Sequence, residues 1–247
     1  MRIVAFYNLK GGVGKTSCAV NIAWLAAQSQ LPTLVWDLDP QGAASWYLGA
    51  NGRGDWSPKK LLKGKTPIGQ HVLPTAFDRL DLLPADFSER DFDLALARHA
   101  DDPLALRRLI EPFGETYSLA VLDCPPSLSQ LAQQVFAAAD IVFVPLVPTH
   151  LSLRAFQQVR EFMKERNLGH KNLYPFFNMV DVRRKLHRDI VEHPPAELKQ
   201  LLLSYIPYAS AVEKMGEFRA PLPVFARSHP ATMAFQNLWQ DILAQIY

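Results

Sequence analysis

Eight residues near the start of the chain combine two lysines, three glycines and a Thr-Ser pair. They read KGGVGKTS at positions 10–17, between an apolar run and a segment with helical periodicity. Because glycine lacks a Cβ atom, the N–H groups of such a loop can turn inwards together, and the following helix adds the positive end of its dipole. The pattern predicts a phosphate-binding loop between a strand and a helix, although a glycine-rich turn without a ligand has the same composition.

The residues of this loop have distinct expected roles. Lys15 is expected to contact the β- and γ-phosphates of a nucleotide, and the Thr16 hydroxyl is expected to bind Mg²⁺. The common pattern G-x-x-x-x-G-K-[ST] has a glycine where this chain has Leu9, and it does not specify Lys10. From the residues alone, Lys10 is either a solvated lysine or has a function that the common pattern lacks. The expected nucleotide contacts in the loop are Gly11, Gly12, Val13, Gly14, Lys15, Thr16 and Ser17.

Three aspartates are expected at the ends of two buried strands. Asp37 and Asp39 lie in LVWDLDPQGAAS at 34–45, and their alternate spacing puts both side chains on the same side of an extended chain. Asp123 ends the apolar run LAVLD, an arrangement typical of a carboxylate that holds Mg²⁺ in nucleotide sites. In parallel sheets, ligands lie beyond the carboxyl ends of the strands, which would bring these acids to the phosphate loop. Acids that only cap strand ends before a turn would look the same.

A polar and basic segment follows a later strand, in FFNMVDVRRKLHRDI at 176–190. Asn178 ends that strand, and its amide has the paired donor and acceptor that can contact the edge of a base or cap the strand. Clustered cations favour nucleic-acid backbones without reading sequence, and a solvated basic face is the alternative. The candidate cations are Arg183, Arg184, Lys185 and Arg188, with Arg219 further along the chain.

The apolar runs around these residues predict an α/β fold, with a mainly parallel sheet and helices on both faces. The whole chain, 1–247, is expected to form one domain, in which residues 50–79 are irregular apart from a short helix at Pro58–Lys63. The predicted strands are Ile3–Tyr7, Thr33–Trp36, Leu80–Leu83, Leu119–Leu122, Ile141–Pro145, Leu173–Asn178 and Leu202–Ile206. The predicted helices are Lys15–Gln28, Leu128–Ala138, Leu151–Arg166 and Ala231–Ile246.

Composition narrows the classes of protein that fit. The net charge of +2 gives no global attraction to nucleic acid or to an acidic membrane, so any such binding must be local. Two cysteines, Cys18 and Cys124, are too few for a metal site or a disulfide framework, which indicates a reducing setting. We see neither a signal peptide nor a continuous apolar segment long enough to span a bilayer. A cytoplasmic protein is therefore expected, with Cys124 as a small buried residue.

Together these motifs resemble the ParA/MinD family of P-loop ATPases over nearly the whole chain. KGGVGKTS is similar to the family's deviant Walker A motif, DLDPQG to its switch I and DCPPSL to its switch II. In that family the lysine at the position of Lys10 crosses a nucleotide-sandwich dimer to the phosphates bound by the other subunit. The resemblance implies that Asp39 positions the attacking water, that Asp123 holds Mg²⁺ and that Asp37 supports the surroundings of Mg²⁺.

The resemblance also implies contacts to the base and a function. Asn178 would contact adenine, with backbone near Pro207 lining the same pocket, and the cofactors would be ATP and Mg²⁺. ATP binding would form a homodimer that binds DNA non-specifically, and a ParB-like or other cargo adaptor protein would stimulate hydrolysis. The cycle would position a plasmid, a chromosome region or another cargo.

The same resemblance implies a location in the cell, and the chain also differs from the family pattern at two points. The protein would be cytoplasmic, associated with the nucleoid in its ATP state, and no membrane association is expected. Because no helix-turn-helix segment precedes the first strand, sequence-specific operator binding is not expected. After YIPY the chain departs from the family pattern in ASAVEKMGEFRAPLPVFARSHPA, which leaves partner identity open.

Two other functions compete with this interpretation. A MinD-like membrane-associated positioning ATPase would end in a basic amphipathic helix, but residues 231–247 contain no Lys or Arg, which favours core packing. A P-loop metabolic enzyme similar to dethiobiotin synthetase would show substrate-dependent turnover, and the DLDPQG motif and Lys10 argue against it. An iron–sulfur reductase like the nitrogenase iron protein would need cysteines in other positions than Cys18 and Cys124.

Overall fold

The chain is described by a computed structural model that covers residues 1–50, 57–85, 89–98, 102–168 and 172–247. Within these ranges, one sheet has the strand order β3-β4-β2-β5-β1-β6-β7. Neighbouring strands are parallel except for the antiparallel pair β3 and β4. The strands are β1 Arg2–Phe6, β2 Thr33–Asp37, β3 Leu73–Pro74, β4 Leu80–Leu83, β5 Leu119–Asp123, β6 Ile141–Leu146 and β7 Leu173–Phe177.

Helices cover both faces of the sheet, which confirms the predicted α/β class. The longer helices in the described ranges are α1 Lys15–Gln28, α4 Glu89–Ala97, α6 Gln130–Ala138, α7 His150–Glu165, α8 Lys185–Glu192 and α12 Pro230–Ile246. The shorter ones are α2 Ala43–Tyr47, α3 Pro58–Leu62, α5 Ala105–Ile110, α9 Ser210–Glu213, α10 Met215–Phe218 and α11 Leu222–Phe225. None of the helices in the described ranges is long and apolar enough to cross a membrane.

The central strands contribute side chains to two hydrophobic clusters, one on each face of the sheet. In β1, Ile3 and Ala5 belong to one buried cluster, whereas Val4 and Phe6 belong to the cluster that also contains α1 and α12. A strand covered on both faces needs apolar side chains at every position, which explains why the apolar runs of the sequence do not alternate. In α12, Phe235 is fully buried, so its truncation to alanine is expected to cost about 3–5 kcal/mol. The last helix therefore packs into the core, as its lack of Lys and Arg predicted.

The central strands bring the predicted site residues to one edge of the sheet. β5 lies between β2 and β1, and the last residue of β5, Asp123, is in register with Asp37 of β2 and Phe6 of β1. The three strands are parallel, so their carboxyl ends lie together. The loop after β1 and the aspartates that end β2 and β5 consequently meet.

Six of the predicted strands are present, with ends within one residue of the prediction. The predicted strand at Leu202–Ile206 is wrong. This segment runs beside β7, where Leu202 N–H donates to Pro175 at 2.9 Å and Ile206 N–H donates to Phe177 at 3.0 Å. Pro175 has no N–H with which to complete the ladder, so only an isolated bridge between Val180 and Pro207 forms.

The region at 50–79 contains more structure than predicted. The short helix is confirmed as Pro58–Leu62, but a 3-10 turn at Ile68–His71 and the two-residue strand β3 were missed. Both residues of β3 are exposed, so the segment has no apolar periodicity that could have revealed it. Residues 51–56 of this region lie outside the described ranges.

Candidate functional site

The predicted phosphate loop joins β1 to α1. Gly12 and Gly14 have φ values of 70° and 85°, in the left-handed region that favours glycine. Asn8 fixes the start of the loop, because its Oδ1 accepts from Lys10 N–H at 2.8 Å and its Nδ2 donates to Pro145 at 2.8 Å. The sequence analysis missed Asn8, whose only signal is a polar residue soon after a buried strand.

Asn178 braces the same loop from the end of β7. Its Nδ2 donates to the Val13 carbonyl at 2.7 Å, and its backbone N–H donates to Leu146 at 2.8 Å. A Cβ atom at Gly14 would lie only 2.3 Å from Asn178 Nδ2, so the close approach requires glycine. The amide donor of Asn178 is thus engaged by the loop backbone, and the expected contact with adenine stays a prediction.

A cleft of about 690 Å³ lies along the loop. Pockets of roughly 300–1,000 Å³ are typical of small-ligand sites. Its walls come from the segments that follow β1, β2, β5 and β7, with part of α9. The lining residues are Gly11, Gly12, Gly14, Lys15, Thr16, Ser17, Asp39, Pro40, Gln41, Ala43, Tyr47, Pro125, Pro126, Met179, Val212 and Glu213.

Lys15 and Asp123 place opposite charges in a nearly dry environment beside this cleft. Lys15 is 6% exposed and Asp123 is fully buried. Burial lowers the pKa of Lys15, and the charges of Asp123 and Asp39 oppose that effect. Burial raises the pKa of Asp123 well above its usual range, and the neighbouring charge of Asp37 raises it further.

The carboxylate of Asp123 has the properties of an incomplete cation site. The Thr16 side chain opposes the rise of the Asp123 pKa. Among the described residues, neither carboxylate oxygen accepts a hydrogen bond of normal geometry. A buried carboxylate without partners is costly unless a cation compensates it. Mg²⁺ prefers oxygen ligands and takes few of them from the protein. Thr16 and Asp123 therefore fit Mg²⁺.

Asp37 is fully buried, and its carboxylate accepts hydrogen bonds from Ser45 of α2. Its Oδ2 accepts from the Ser45 N–H at 2.8 Å and from the Ser45 hydroxyl at 2.7 Å, and its Oδ1 accepts from Asp39 N–H at 3.2 Å. Burial raises the pKa of Asp37 to about 6, although the hydrogen bonds from Ser45 oppose the shift. Ser45, which the sequence analysis missed, links Asp37 to Ala85 N–H at 3.1 Å. The expected role of Asp37 in the surroundings of Mg²⁺ stays a prediction.

Of the two aspartates at the end of β2, Asp37 and Asp39, the one that lines the cleft is Asp39. It is partly exposed, and its Oδ1 accepts from Gln41 N–H at 2.9 Å in the turn before α2. Gly42 ends this turn with a φ of 66°. A partly solvated carboxylate held at the cleft wall can orient a water molecule.

Lys10 differs from Lys15 in its surroundings. Its side chain is exposed, and it is not among the described residues that line the cleft. The backbone of the loop holds it, through the bond from Lys10 N–H to Asn8. Lys10 is therefore accessible to another molecule that approaches the loop.

The five predicted cations after β7 have four kinds of surroundings. Arg183 forms a bidentate pair with Asp181, at 2.8 Å and 3.0 Å, which lowers the pKa of Asp181 to about 2. Arg188 donates to the Val182 carbonyl at 2.6 Å. The structure does not join Arg219 to this group, because its guanidinium contacts α2. The remaining exposed cations of the segment are Arg184 and Lys185.

Pro207 lies beside a second groove, of about 1070 Å³, between residues 180–183, residues 203–210 and the start of α12. It is not among the described residues that line the phosphate cleft. The two regions are neighbours through Val180, which bridges to Pro207 directly after Met179 of the cleft. The expected role of the Pro207 backbone at the base stays a prediction.

The two cysteines are inert in this structure. Cys18 and Cys124 are both buried and free of disulfides, and burial raises the pKa of each thiol. A thiol with a raised pKa is a poor nucleophile and a poor metal ligand at neutral pH. The chemistry of the cleft consequently belongs to its lysine, hydroxyl and carboxylate groups.

The chain is similar to known proteins in sequence and in fold. A family model described as "AAA domain" matches residues 1–173. The chain is 31% identical over 251 residues to the chromosome-partitioning ATPase Soj of Thermus thermophilus, covering 100% of this chain and 97% of that protein. Two solved structures share the fold. Apo McdA of Cyanothece has a TM-score of 0.84 at 19% identity, covering 98% of this chain and 99% of that chain.

The second of these structures is a synthase. Cobyrinic acid a,c-diamide synthase of Mycobacterium smegmatis, with bound ADP and magnesium, has a TM-score of 0.82 at 24% identity, covering 98% of this chain and 94% of that chain. The fold therefore occurs with more than one activity, and family membership rests on the sequence relatives. The chain belongs to the ParA/MinD family of P-loop ATPases.

Proposed function

We propose that this chain is an ATP-driven positioning ATPase, whose dimer forms around bound ATP and binds DNA. The observation that carries the proposal is the buried carboxylate of Asp123 beside Lys15. Within the described ranges its oxygens accept no hydrogen bond of normal geometry, and the loop of the same cleft leaves Lys10 exposed. ATP and Mg²⁺ are its cofactors. Mg²⁺, when bound, neutralises charge on the phosphates, and the remaining work belongs to the chain's own residues.

Within one subunit, the loop and two side chains act on the nucleotide. The glycine loop leaves backbone N–H groups for the phosphates, and Lys15 supplies a cation in a dry environment, where its charge is effective. Asp39 orients the attacking water at the cleft wall. Phosphoryl transfer needs mainly this positioning and charge neutralisation.

Lys10 completes the site in a second copy of the chain. An exposed cation beside the loop can reach phosphates across a dimer, and there it stabilises charge that develops in the transition state. Lys10→Ala is therefore expected to bind ATP normally but to stay monomeric with ATP. Light scattering with ATP and with ADP measures this, with Asp39→Ala as a reference that keeps ATP unhydrolysed. An unchanged ATP dimer in Lys10→Ala would refute the role.

The segment after β7 is the proposed DNA surface. Arg184 and Lys185 are exposed cations, and Arg188 lies one helical turn further along. Such cations bind phosphate backbones by releasing counterions, so the affinity falls steeply with salt. Dimerisation doubles the number of these cations on one particle, which couples DNA binding to ATP.

Binding of Asp39→Ala to random-sequence duplex DNA, with ATP, with ADP and without nucleotide, across a salt series, tests this part. Binding with ATP alone, weakened by salt, is the expected result. Absence of binding in every state would remove DNA from the proposal. Anionic vesicles and small carboxylate substrates serve as parallel probes, because a membrane-associated ATPase or a metabolic enzyme would respond to those instead.

We further propose that an adaptor protein stimulates hydrolysis and selects the cargo. The intrinsic rate is expected to be low, since Asp39 is only partly enclosed in the isolated chain. The segment that departs from the family pattern, at 209–231, supplies Val212 and Glu213 to the cleft wall. An adaptor that binds there could reach the site directly. The location expected for such a cycle is the cytoplasm, with nucleoid association in the ATP state.

A further inference from the structure

Arg219 and Trp46 form a clamp between α10 and α2. The Arg219 guanidinium lies over the indole ring of Trp46, with its Cζ 4.2 Å from the ring centroid. Arg219 Nη2 donates to the Ala50 carbonyl at 2.8 Å, and Nε donates to the Trp46 carbonyl at 3.4 Å. In return, Trp46 Nε1 donates to the Gly216 carbonyl of α10 at 2.8 Å. The two elements thus hold each other through both side chains.

The backbone at Arg219 is in a conformation that few residues adopt. Its φ of 47° lies in the left-handed region, where glycine would be favoured at the end of a helix such as α10. A side chain at such a position persists when its surroundings stabilise it, and strained positions cluster at functional sites. Here the contacts of the guanidinium with α2 provide that stabilisation. The arginine is therefore specified by its contact with α2.

The other side of α10 is tied to the phosphate loop. Asn21 of α1 is fully buried, and its Oδ1 accepts from Leu222 N–H at 2.8 Å, while its Nδ2 contacts the Met215 sulfur at 3.2 Å and donates to Ser17 at 2.7 Å. Met215 is itself fully buried. These contacts hold α10 against α1, the helix that follows the phosphate loop. The contacts between Arg219 and Trp46 in turn hold α2 against α10.

The clamped helix α2 carries one wall of the cleft. Ala43 and Tyr47 line the cleft, and Ser45 binds the carboxylate of Asp37. The turn with Asp39 immediately precedes α2, and Gly42 joins the two. The position of Asp39 against the phosphates therefore depends on where α2 is held.

We propose that Arg219 is a positioning residue for hydrolysis, which acts through Trp46 to hold α2, and with it Asp39, against the nucleotide cleft. The inference rests on the proposed ATPase function. It assigns to Arg219 a contact within the chain in place of the expected contact with DNA. It also gives the segment at 209–231 a way to influence the site, because a partner that displaces α10 would release Asp39.

The test compares Arg219→Gln, Trp46→Phe and the double variant with wild type. Arg219→Gln is expected to lower kcat about tenfold per nucleotide-binding site, while nucleotide affinity changes less than about threefold, because the phosphate loop is intact. The double variant is expected to lose no more than the more affected single variant, since both act through one contact. Arg227→Gln, an exposed arginine of equal charge nearby, is the matched control and should match wild type.

A second readout separates positioning from a general loss of structure. Trp46 is about half exposed, and Trp46→Phe identifies its share of the fluorescence change on ATP binding. Arg219→Gln is expected to alter this Trp46 signal at normal nucleotide affinity. Arg219→Lys is expected to restore kcat only in part, because lysine lacks the planar guanidinium that stacks on the indole ring. If Arg219→Gln does not fold, Arg219→Lys and Trp46→Phe carry the test.

Two results would overturn the inference. One is a kcat of Arg219→Gln within twofold of wild type, together with an unchanged Trp46 signal. The other is additive losses in the double variant. If the wild-type chain bound ATP without hydrolysing it, the proposed function would fail, while the Trp46 signal would still decide whether the clamp follows the nucleotide. Loss of DNA binding in Arg219→Gln at normal kcat would return Arg219 to the DNA surface.

Discussion

The cleft and the segment after β7 both offer cations to phosphate, but they hold these cations in opposite ways. Lys15 is nearly buried, and the buried acid Asp123 lies close to it. The side chain of Arg183 is 81% exposed and pairs with Asp181 at the surface. Charges in a dry environment interact strongly and cannot rearrange, whereas surface charges are screened by water and salt.

This difference matches two demands on one molecule. A phosphoryl group must be held at a fixed position. The buried charged groups of the cleft destabilise the fold until a bound ligand compensates their charge. The proposed DNA surface would have to bind and release, which needs cations whose attraction to phosphate is weakened by salt and by a change of state. The predictions below change one region at a time, from the largest expected effect to the smallest.

The largest effect is expected from Lys15→Gln. Removing this cation leaves the phosphates without their nearest buried positive charge, so nucleotide affinity should fall about 100-fold or more. Titration calorimetry with a non-hydrolysable ATP analogue measures this. Lys10→Ala, which lies outside the cleft of its own chain, should keep its affinity in the monomer. Equal losses in the two variants would contradict the contrast between the lysines.

The buried acids should make the unfolding free energy depend on pH in the absence of Mg²⁺ and nucleotide. Because the pKa of Asp37 is raised to about 6, the folded state binds its proton more tightly than the unfolded state does. Stability should therefore decline as pH rises from about 4 to about 6, by about 2–3 kcal/mol from this group, and stay low above that range.

Urea unfolding between these pH values measures the effect, with Asp37→Asn as the comparison. The asparagine variant should lose this part of the pH dependence. Surface pairs such as Arg183 with Asp181 should contribute little, since solvent screens them. An identical pH slope in the variant and wild type would show that Asp37 is not the responsible group.

Gly14→Ala should weaken both the fold and the site. The new Cβ meets Asn178 Nδ2 at 2.3 Å and requires a φ of 85°, so we expect a loss of about 1–3 kcal/mol and a lower affinity for ATP. Adding Asn178→Ala removes the collision but not the backbone strain, so rescue should be partial. Thermal unfolding of the four proteins of this cycle measures it. Additive losses would mean that Asn178 does not brace the loop.

The smallest effects are expected in the basic segment. Arg184→Gln and Lys185→Gln should each weaken DNA binding a few-fold and lower the salt slope of the dimer by about 2, because each substitution removes one cation from both subunits. Asp181→Asn should have the opposite effect, because it frees the guanidinium of Arg183 for phosphate. DNA binding of the ATP-held dimer over a salt series checks both. A weaker affinity after Asp181→Asn would mean that the pair with Asp181 is needed to shape the surface.

The sequence predicted the central part of the fold and of the site because the relevant interactions are local. Six strands could be located from unbroken apolar runs, since a strand covered on both faces shows this pattern wherever it occurs. Gly12 and Gly14 indicate the phosphate loop because the backbone there has positive φ, and Lys15 and Thr16 indicate it because phosphate and Mg²⁺ need those side chains. Asp39 and Asp123 could be expected near the phosphates because each follows or ends an apolar run, and ligands lie beyond the carboxyl ends of parallel strands.

Only the tertiary structure decided which long-range partners each side chain has. Asn178 and the phosphate loop are joined by a hydrogen bond between residues 165 positions apart, and Arg219 reaches Ala50 across 169 positions. No local pattern encodes such contacts, so the sequence suggested a base contact or a strand cap for Asn178, and a DNA contact or a solvated position for Arg219. The failed strand at Leu202–Ile206 has the same origin. Its own residues favour a strand, but Pro175 on β7 lacks the N–H that would complete the ladder.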